Sequence, residues 1–143
     1  MKLKEKLIKA MFVLTLLFAP LAANAQTTQD DWGTLIAAIS QVESGNNPNS
    51  VNGRHVGVLQ ISPITVDECN RILKKKKYTY KDRYNREKSI EMFEIIQHFY
   101  NPTKNIDVAI RLWNVGPRYS VKGTARYHAK VKGVYEKLKN KRQ

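Results

Sequence analysis

The chain has 143 residues, with 25 Lys and Arg against 12 Asp and Glu, which gives a formal net charge of +13. This length allows one domain, and a 42% share of hydrophobic residues is enough to give it a core. The single cysteine, Cys69, excludes an intramolecular disulfide framework and a multi-cysteine metal site. The charge favours a partner of negative charge without saying which one.

The first 25 residues have the layout of an export signal. Four Lys lie within residues 1–9, an uncharged apolar run covers residues 10–23, and the small residues Ala23 and Ala25 end the segment. The run is too short to span a bilayer as a helix, which needs about 20 residues. We therefore expect residues 1–25 to be a cleaved signal peptide and residues 26–143 to be an exported protein, either periplasmic or secreted.

The rest of the chain shows five apolar stripes at helical spacing. They cover residues 32–39, 66–73, 92–100, 106–113 and 127–138. We expect Asp30 and Asp31 to cap the first helix and Gly45 to end it. Ser62 and Pro63 have the order of an N-cap and a first helical position. The sequence therefore predicts a single small all-α domain, with at most a minimal strand element near residues 56–61.

Glu43 continues the apolar stripe of the first helix, because it lies seven positions after Ile36 and four after Ile39. It also lies in the last turn, where the helix dipole disfavours a carboxylate. Burial and the dipole both raise the pKa of a carboxyl group, and a general acid has to stay protonated near neutral pH. Periodicity alone is equally compatible with a solvated glutamate at a helix end.

Four short motifs, the first of which contains Glu43, are spread across most of residues 32–138. They are Glu43-Ser44-Gly45, Gly57-Val58-Leu59-Gln60-Ile61, Trp113-Asn114-Val115-Gly116-Pro117, and Thr124 with Tyr127. In this order they resemble the soluble lytic transglycosylase domain of the lysozyme-like superfamily. The resemblance implies a lysozyme-like helical fold, Glu43 as the catalytic acid/base, and peptidoglycan glycan strands as the substrate. We expect no cofactor and no metal ion, since the three histidines lack ligand spacing.

The same resemblance assigns substrate-binding roles to Ser44, Gln60, Ile61, Trp113, Asn114 and Tyr127. Ser44 would hold the Glu43 carboxyl group or the substrate, and Tyr127 would direct its hydroxyl group toward Glu43. Trp113 would offer a stacking face where the family has tyrosine. Taken alone, Gln60 and Asn114 are more typical of amide groups that satisfy buried backbone groups, and Tyr127 of a core residue with a satisfied hydroxyl group.

The number of carboxylates decides the chemistry. Most glycosidases use two, about 5–5.5 Å apart in retaining enzymes and about 6.5–9.5 Å apart in inverting ones. Animal-type lysozymes of the superfamily have an Asp where this chain has His55, and no acidic residue lies between residues 45 and 60. The resemblance therefore implies a lytic transglycosylase that uses one glutamate and releases 1,6-anhydromuramic ends. Three acids would supply a second carboxylate if the fold brought one into the cleft: Asp67, Glu68 and Asp82.

A basic segment from Lys74 to Lys88, called the basic segment 74–88 below, holds eight basic and two acidic residues. We interpret it first as a solvated loop between helices, and second as a surface for anionic wall polymers. Nucleic acid is not expected as a partner, and the protein is expected to be a monomer. A secretion or conjugation apparatus is a further compatible partner.

Two other functions stay open on the sequence alone. The first is a muramidase that hydrolyses the same glycosidic bond with water, since a second carboxylate brought in by folding would allow it. The second is a non-catalytic module that binds peptidoglycan during the assembly of a larger structure. The sequence also leaves endo and exo cleavage of the glycan equally open.

Overall fold

The computed structural model describes the backbone of residues 23–142 and the side chains of residues 31–142. The chain divides into two units, Met1–Asp31 and Trp32–Gln143, and every side chain discussed below belongs to the second. The predicted signal peptide lies outside the described residues, apart from the backbone of its last three positions. Cleavage and export therefore stay predictions.

The described chain is mainly helical, which confirms the predicted all-α class. Its α-helices are α1 Ala23–Ser44, α2 Pro63–Leu73, α3 Arg86–Tyr100, α4 Ile106–Val115 and α5 Ala125–Asn140. A short 3-10 helix covers Tyr80–Tyr84. Among the described helices, none is both long enough and apolar enough to cross a membrane.

The strand element is a small hairpin that lies slightly before the predicted position. The antiparallel strands β1 Val51–Asn52 and β2 His55–Val56 pair with Val51 opposite Val56 and Asn52 opposite His55. Within residues 56–61, where the sequence favoured a strand, Val56 ends β2 and also forms an isolated bridge with Ile61. This bridge closes the loop 57–61 and places it beside the hairpin.

Local sequence signals set most helix ends. The Ser62 hydroxyl accepts a hydrogen bond from the backbone N–H of Thr65 at 3.3 Å, so the predicted cap of α2 is confirmed. Gly116, with a φ of +86°, ends α4. The predicted start of α1 at Asp30 and Asp31 is wrong, because the helix already begins at Ala23. No glycine or proline stands between residues 23 and 32 to stop it.

The core of the second unit is built around Phe93, which is fully buried on α3. Its ring centroid lies 5.8 Å from that of Trp32 and 4.9 Å from that of Trp113. Neighbouring helices pack in pairs, with α2 against α3, α3 against α4, and α4 against α5. Cys69 is fully buried, as its place on the second stripe predicted. This packing holds the ends of α1, α4 and α5 close to one another.

The basic segment 74–88 is anchored, so its prediction as a solvated loop is wrong in part. Tyr78 is only 2% exposed, and the Asn70 side chain bonds both its backbone N–H and its carbonyl group at 2.9 Å. The Tyr78 hydroxyl group donates to Glu91 at 2.6 Å. The count of charges in the sequence did not indicate that Tyr78 is buried, because most of the residues around it are basic.

We expect Gly57→Ala to destabilise the fold by about 2–5 kcal/mol. Gly57 has a φ of +83°, and an added Cβ would lie 1.9 Å from the carbonyl oxygen of Arg83. Left-handed strain costs about 1–2 kcal/mol, and overpacking costs about 1–3 kcal/mol more. Urea unfolding measures the loss. Gly53→Ala is the control, because Gly53 has a φ of +59° but open space around an added Cβ. Equal losses in the two variants would contradict this packing.

Candidate active site

A cleft of about 540 Å³ lies where the end of α1, the hairpin, the end of α4 and the start of α5 meet. This volume falls in the range of ligand sites, about 300–1,000 Å³. The cleft gathers five of the seven residues singled out from the sequence, which are Glu43, Gln60, Trp113, Asn114 and Tyr127. Residues more than 80 positions apart in the chain thus line the same cleft.

The other two predicted residues, Ser44 and Ile61, do not line the cleft. The Ser44 hydroxyl donates to the Val58 carbonyl at 2.8 Å, which ties the end of α1 to the loop 57–61. Ile61 is 1% exposed and packs in the core. Ser44 and Ile61 therefore support the loop that borders the cleft and do not face its interior.

Glu43 is a half-buried acid held by one hydrogen bond. The Tyr127 hydroxyl donates to its Oε1 atom at 2.5 Å. Burial raises the pKa of Glu43 above its ordinary value of 4.5, against the lowering effects of the Tyr127 hydrogen bond and of the nearby basic groups of His55 and Lys130. Burial also raises the pKa of Tyr127, so the phenol remains a donor. Within the described residues no hydrogen bond reaches Oε2 of Glu43, which leaves that oxygen to a ligand.

The loop 57–61 presents Gln60 to the cleft in an unusual backbone conformation. Gln60 has a φ of +51°, and its Nε2 atom donates to the carbonyl groups of Gly57 at 2.9 Å and Ser50 at 3.3 Å. The amide nitrogen therefore satisfies the backbone of its own loop. From the other side, the Trp113 Nε1 atom donates to the Leu59 carbonyl at 3.2 Å. The indole thus adds a hydrogen bond to the stacking surface predicted from the sequence.

Arg111 fixes the turn that leads into Tyr127, and the sequence analysis missed it. Its Nη1 atom donates to the Val121 carbonyl at 3.0 Å and to the Thr124 hydroxyl at 2.8 Å, and Thr124 is buried. In the same turn an added Cβ at Gly123 would lie 2.8 Å from the Ser120 hydroxyl oxygen. A glycine at this position therefore fits a tight turn. No local pattern marks Arg111, because its partners lie across a loop.

Within the described part of the chain, Glu43 is the one carboxylate that lines the cleft. The three acids that the sequence analysis considered as a second carboxylate do not line this cleft. Their hydrogen-bond partners are Tyr80 for Asp67, Arg71 and Tyr100 for Glu68, and Lys88 for Asp82. Glu68 lines an adjoining cavity of about 410 Å³, and the Arg71 guanidinium group holds its pKa at about 2. His55 also lines the cleft.

A second cavity of about 540 Å³ lies between α2 and α3 and has no comparable acid. Its Glu91 is bound by Lys77 at 2.9 Å and by Tyr78 at 2.6 Å, and its Glu94 is exposed. Among residues 31–142, no group of three or more His, Cys, Asp and Glu side chains could hold a metal ion. The cleft around Glu43 is therefore the candidate active site.

These features define a class, a small lysozyme-like helical domain with one protonatable carboxyl group in a polar cleft. The family model of the transglycosylase SLT domain matches residues 20–135, and the chain belongs to this family of lytic transglycosylases. Neither a search of curated proteins nor a search of solved structures gives a match. Family membership makes peptidoglycan the substrate class and transglycosylase-type cleavage the general activity.

We expect Glu43→Gln to be more stable than the parent at pH 7. Because the folded-state pKa of Glu43 is raised above 4.5, the protonated acid contributes stability that is fully present below pH 4.5. That stability is lost as the pH rises through the folded value. Thermal unfolding between pH 4 and pH 8 should show a gap that widens with pH. Glu94→Gln, at an exposed position on α3, is the control. A gap that does not change with pH would contradict the burial of this acid.

Proposed function

We propose that this protein is a peptidoglycan lytic transglycosylase that uses Glu43 as its only acid and base. The bond cleaved is the β-1,4 bond between N-acetylmuramic acid and N-acetylglucosamine. The observation that carries the proposal is the position of Glu43. It lies half-buried and hydrogen-bonded to Tyr127 in a cleft that holds no second carboxylate within the described residues.

The first step is proton donation to the glycosidic oxygen. The raised pKa of Glu43 keeps its carboxyl group protonated at higher pH than an exposed glutamate, and Oε2 is the oxygen without a protein partner in the described chain. The C1–O bond then breaks and the sugar ring develops positive charge. The Tyr127 hydrogen bond and the basic groups of His55 and Lys130 stabilise the carboxylate that donation leaves behind.

The second step returns the proton to Glu43. The carboxylate takes the proton from the C6 hydroxyl group of the muramic acid, and the C6 oxygen attacks C1. The product carries a 1,6-anhydromuramic ring, and no water is consumed. The N-acetyl group of the substrate can stabilise the positive charge meanwhile, so the reaction does not need the second carboxylate of the usual glycosidases.

The shape of the cleft supports a polymeric substrate. The cavity around Glu43 adjoins the one lined by Glu68, and the two share Ile64, Thr65, Trp113, Val115 and Gly116. Trp113 thus stands at the boundary between two adjacent spaces, where an indole face can stack on a sugar ring. Asn114 is exposed beside it and offers an amide group to sugar hydroxyls. A strand of alternating sugars could extend through both cavities.

Export, a monomeric state and the further partners belong to this proposal as well. In the basic segment 74–88, Lys77 and Lys88 form ion pairs. Four other lysines of the segment make no ion pair within the described chain, and they are Lys74, Lys75, Lys76 and Lys81. These side chains are exposed and could bind anionic wall polymers. Contact with a secretion or conjugation apparatus is compatible with a small exported enzyme.

Mass spectrometry of the products from purified peptidoglycan tests the reaction. We expect muropeptides with 1,6-anhydromuramic ends, which are lighter by one water than the hydrolysis products. Glu43→Gln should lower the rate by about 10²–10⁴-fold, because the amide cannot donate or recover the proton. Glu94→Gln, an exposed substitution outside the cleft, should leave the rate unchanged.

Two results would overturn the proposal. Reducing muramic ends would show a hydrolase, in which water replaces the C6 hydroxyl group. Binding of glycan strands without cleavage, equal in the parent and in Glu43→Gln, would show a non-catalytic module that kept the cleft.

A further inference from the structure

The Arg83 side chain donates to backbone carbonyl groups in three separate segments of the chain. Its Nη1 atom donates to the carbonyl groups of Arg54 at 3.0 Å and Ile61 at 3.1 Å. Its Nε atom donates to the Tyr80 carbonyl at 2.8 Å. One guanidinium group therefore joins the turn of the hairpin, the end of the loop 57–61 and the 3-10 helix.

The backbone of Arg83 contacts the same loop. An added Cβ at Gly57 would lie 1.9 Å from the Arg83 carbonyl oxygen, so the two main chains touch where glycine leaves room. The hydroxyl group of Ser89, which is buried on α3, donates to that carbonyl at 3.0 Å and orients it. The loop is thus held by both the backbone and the side chain of one residue.

This loop needs outside support, because Gln60 adopts a left-handed conformation with a φ of +51°. Non-glycine residues persist in such conformations only where the surroundings determine them. Among the described residues outside the loop, three side chains donate to its carbonyl groups: Ser44 to Val58, Trp113 to Leu59, and Arg83 to Ile61. Arg83 is the one support that also reaches the turn between β1 and β2.

We propose that Arg83 is a positioning residue, which sets the loop 57–61 and the hairpin at the distance from Glu43 that catalysis requires. The inference rests on the proposed function. Both elements carry residues that line the cleft, Gln60 on the loop and Asn52 and His55 on the hairpin. A displacement of about 1 Å in a catalytic site can cost about 10²-fold in rate. Arg83 therefore acts through the loop and touches no substrate.

Arginine suits this role because its planar fork donates in several fixed directions at once. Lysine keeps the charge but presents a single ammonium group, so Arg83→Lys separates geometry from charge. Neighbouring Arg86 has the same side chain at the start of α3 and is exposed. Arg86→Lys is therefore a matched control that removes no contact with the loop.

The test combines steady-state kinetics on purified glycan strands with thermal unfolding and amide NMR spectra. We expect Arg83→Lys to lower kcat by about 10- to 100-fold with a small change in KM, while most molecules stay folded. We expect Arg83→Ala to lose at least as much rate and to regain part of it with millimolar guanidinium ion. Amide shifts should change mainly at residues 54–61. Arg86→Lys should leave kcat and these shifts as in the parent.

Parent-level kcat in Arg83→Lys would overturn the inference. So would a loss of rate fully matched by the fraction unfolded, with no recovery on adding guanidinium ion. If the parent releases no anhydro product, the proposed function has failed. The amide shifts at residues 54–61 then still show whether Arg83 holds the loop, and unchanged shifts in Arg83→Lys would overturn that contact.

Discussion

The contact between the Tyr127 hydroxyl group and Oε1 of Glu43 joins residues 84 positions apart, and the site depends on it. It fixes the end of α1 against the start of α5 and leaves one carboxyl oxygen for a ligand. Burial disfavours the charged acid, whereas the phenol favours it, so the two effects set a proton affinity between those of an exposed and an isolated buried glutamate. A single acid that both gives and recovers a proton needs such a balance.

The remaining contacts keep the opposite wall of the cleft in place. Ser44, Trp113 and Arg83 each donate to a carbonyl group of the loop 57–61, and Arg111 orders the turn before α5. None of these four donates to the Glu43 carboxyl group. The left-handed backbone of Gln60 therefore lies where several independent hydrogen bonds restrain it. Local strain at the site is offset by supports outside it.

The sequence could predict what short-range patterns encode. Apolar spacing located the helices, Ser62 and Gly45 marked helix ends, and Glu43 stood out because a carboxylate on an apolar stripe opposes both burial and the helix dipole. The sequence could not predict contacts that exist only after folding. Arg83 and Arg111 form hydrogen bonds across loops, and Tyr78 is buried inside a run of charge. The resemblance to the family placed Ser44 among the substrate-binding residues, although its hydroxyl group supports the loop 57–61.

The proton affinity of Glu43 is the quantity on which the account depends, and carbon-13 NMR titration of the glutamate side-chain carboxyl groups measures it directly. The account predicts one carboxyl signal with a midpoint clearly above 4.5 in the folded protein, absent in Glu43→Gln. A Glu43 midpoint at or below 4.5 would show that burial does not raise the proton affinity of this acid. Glu43 would then hold its proton no better than an exposed glutamate, and the single-acid account would be wrong.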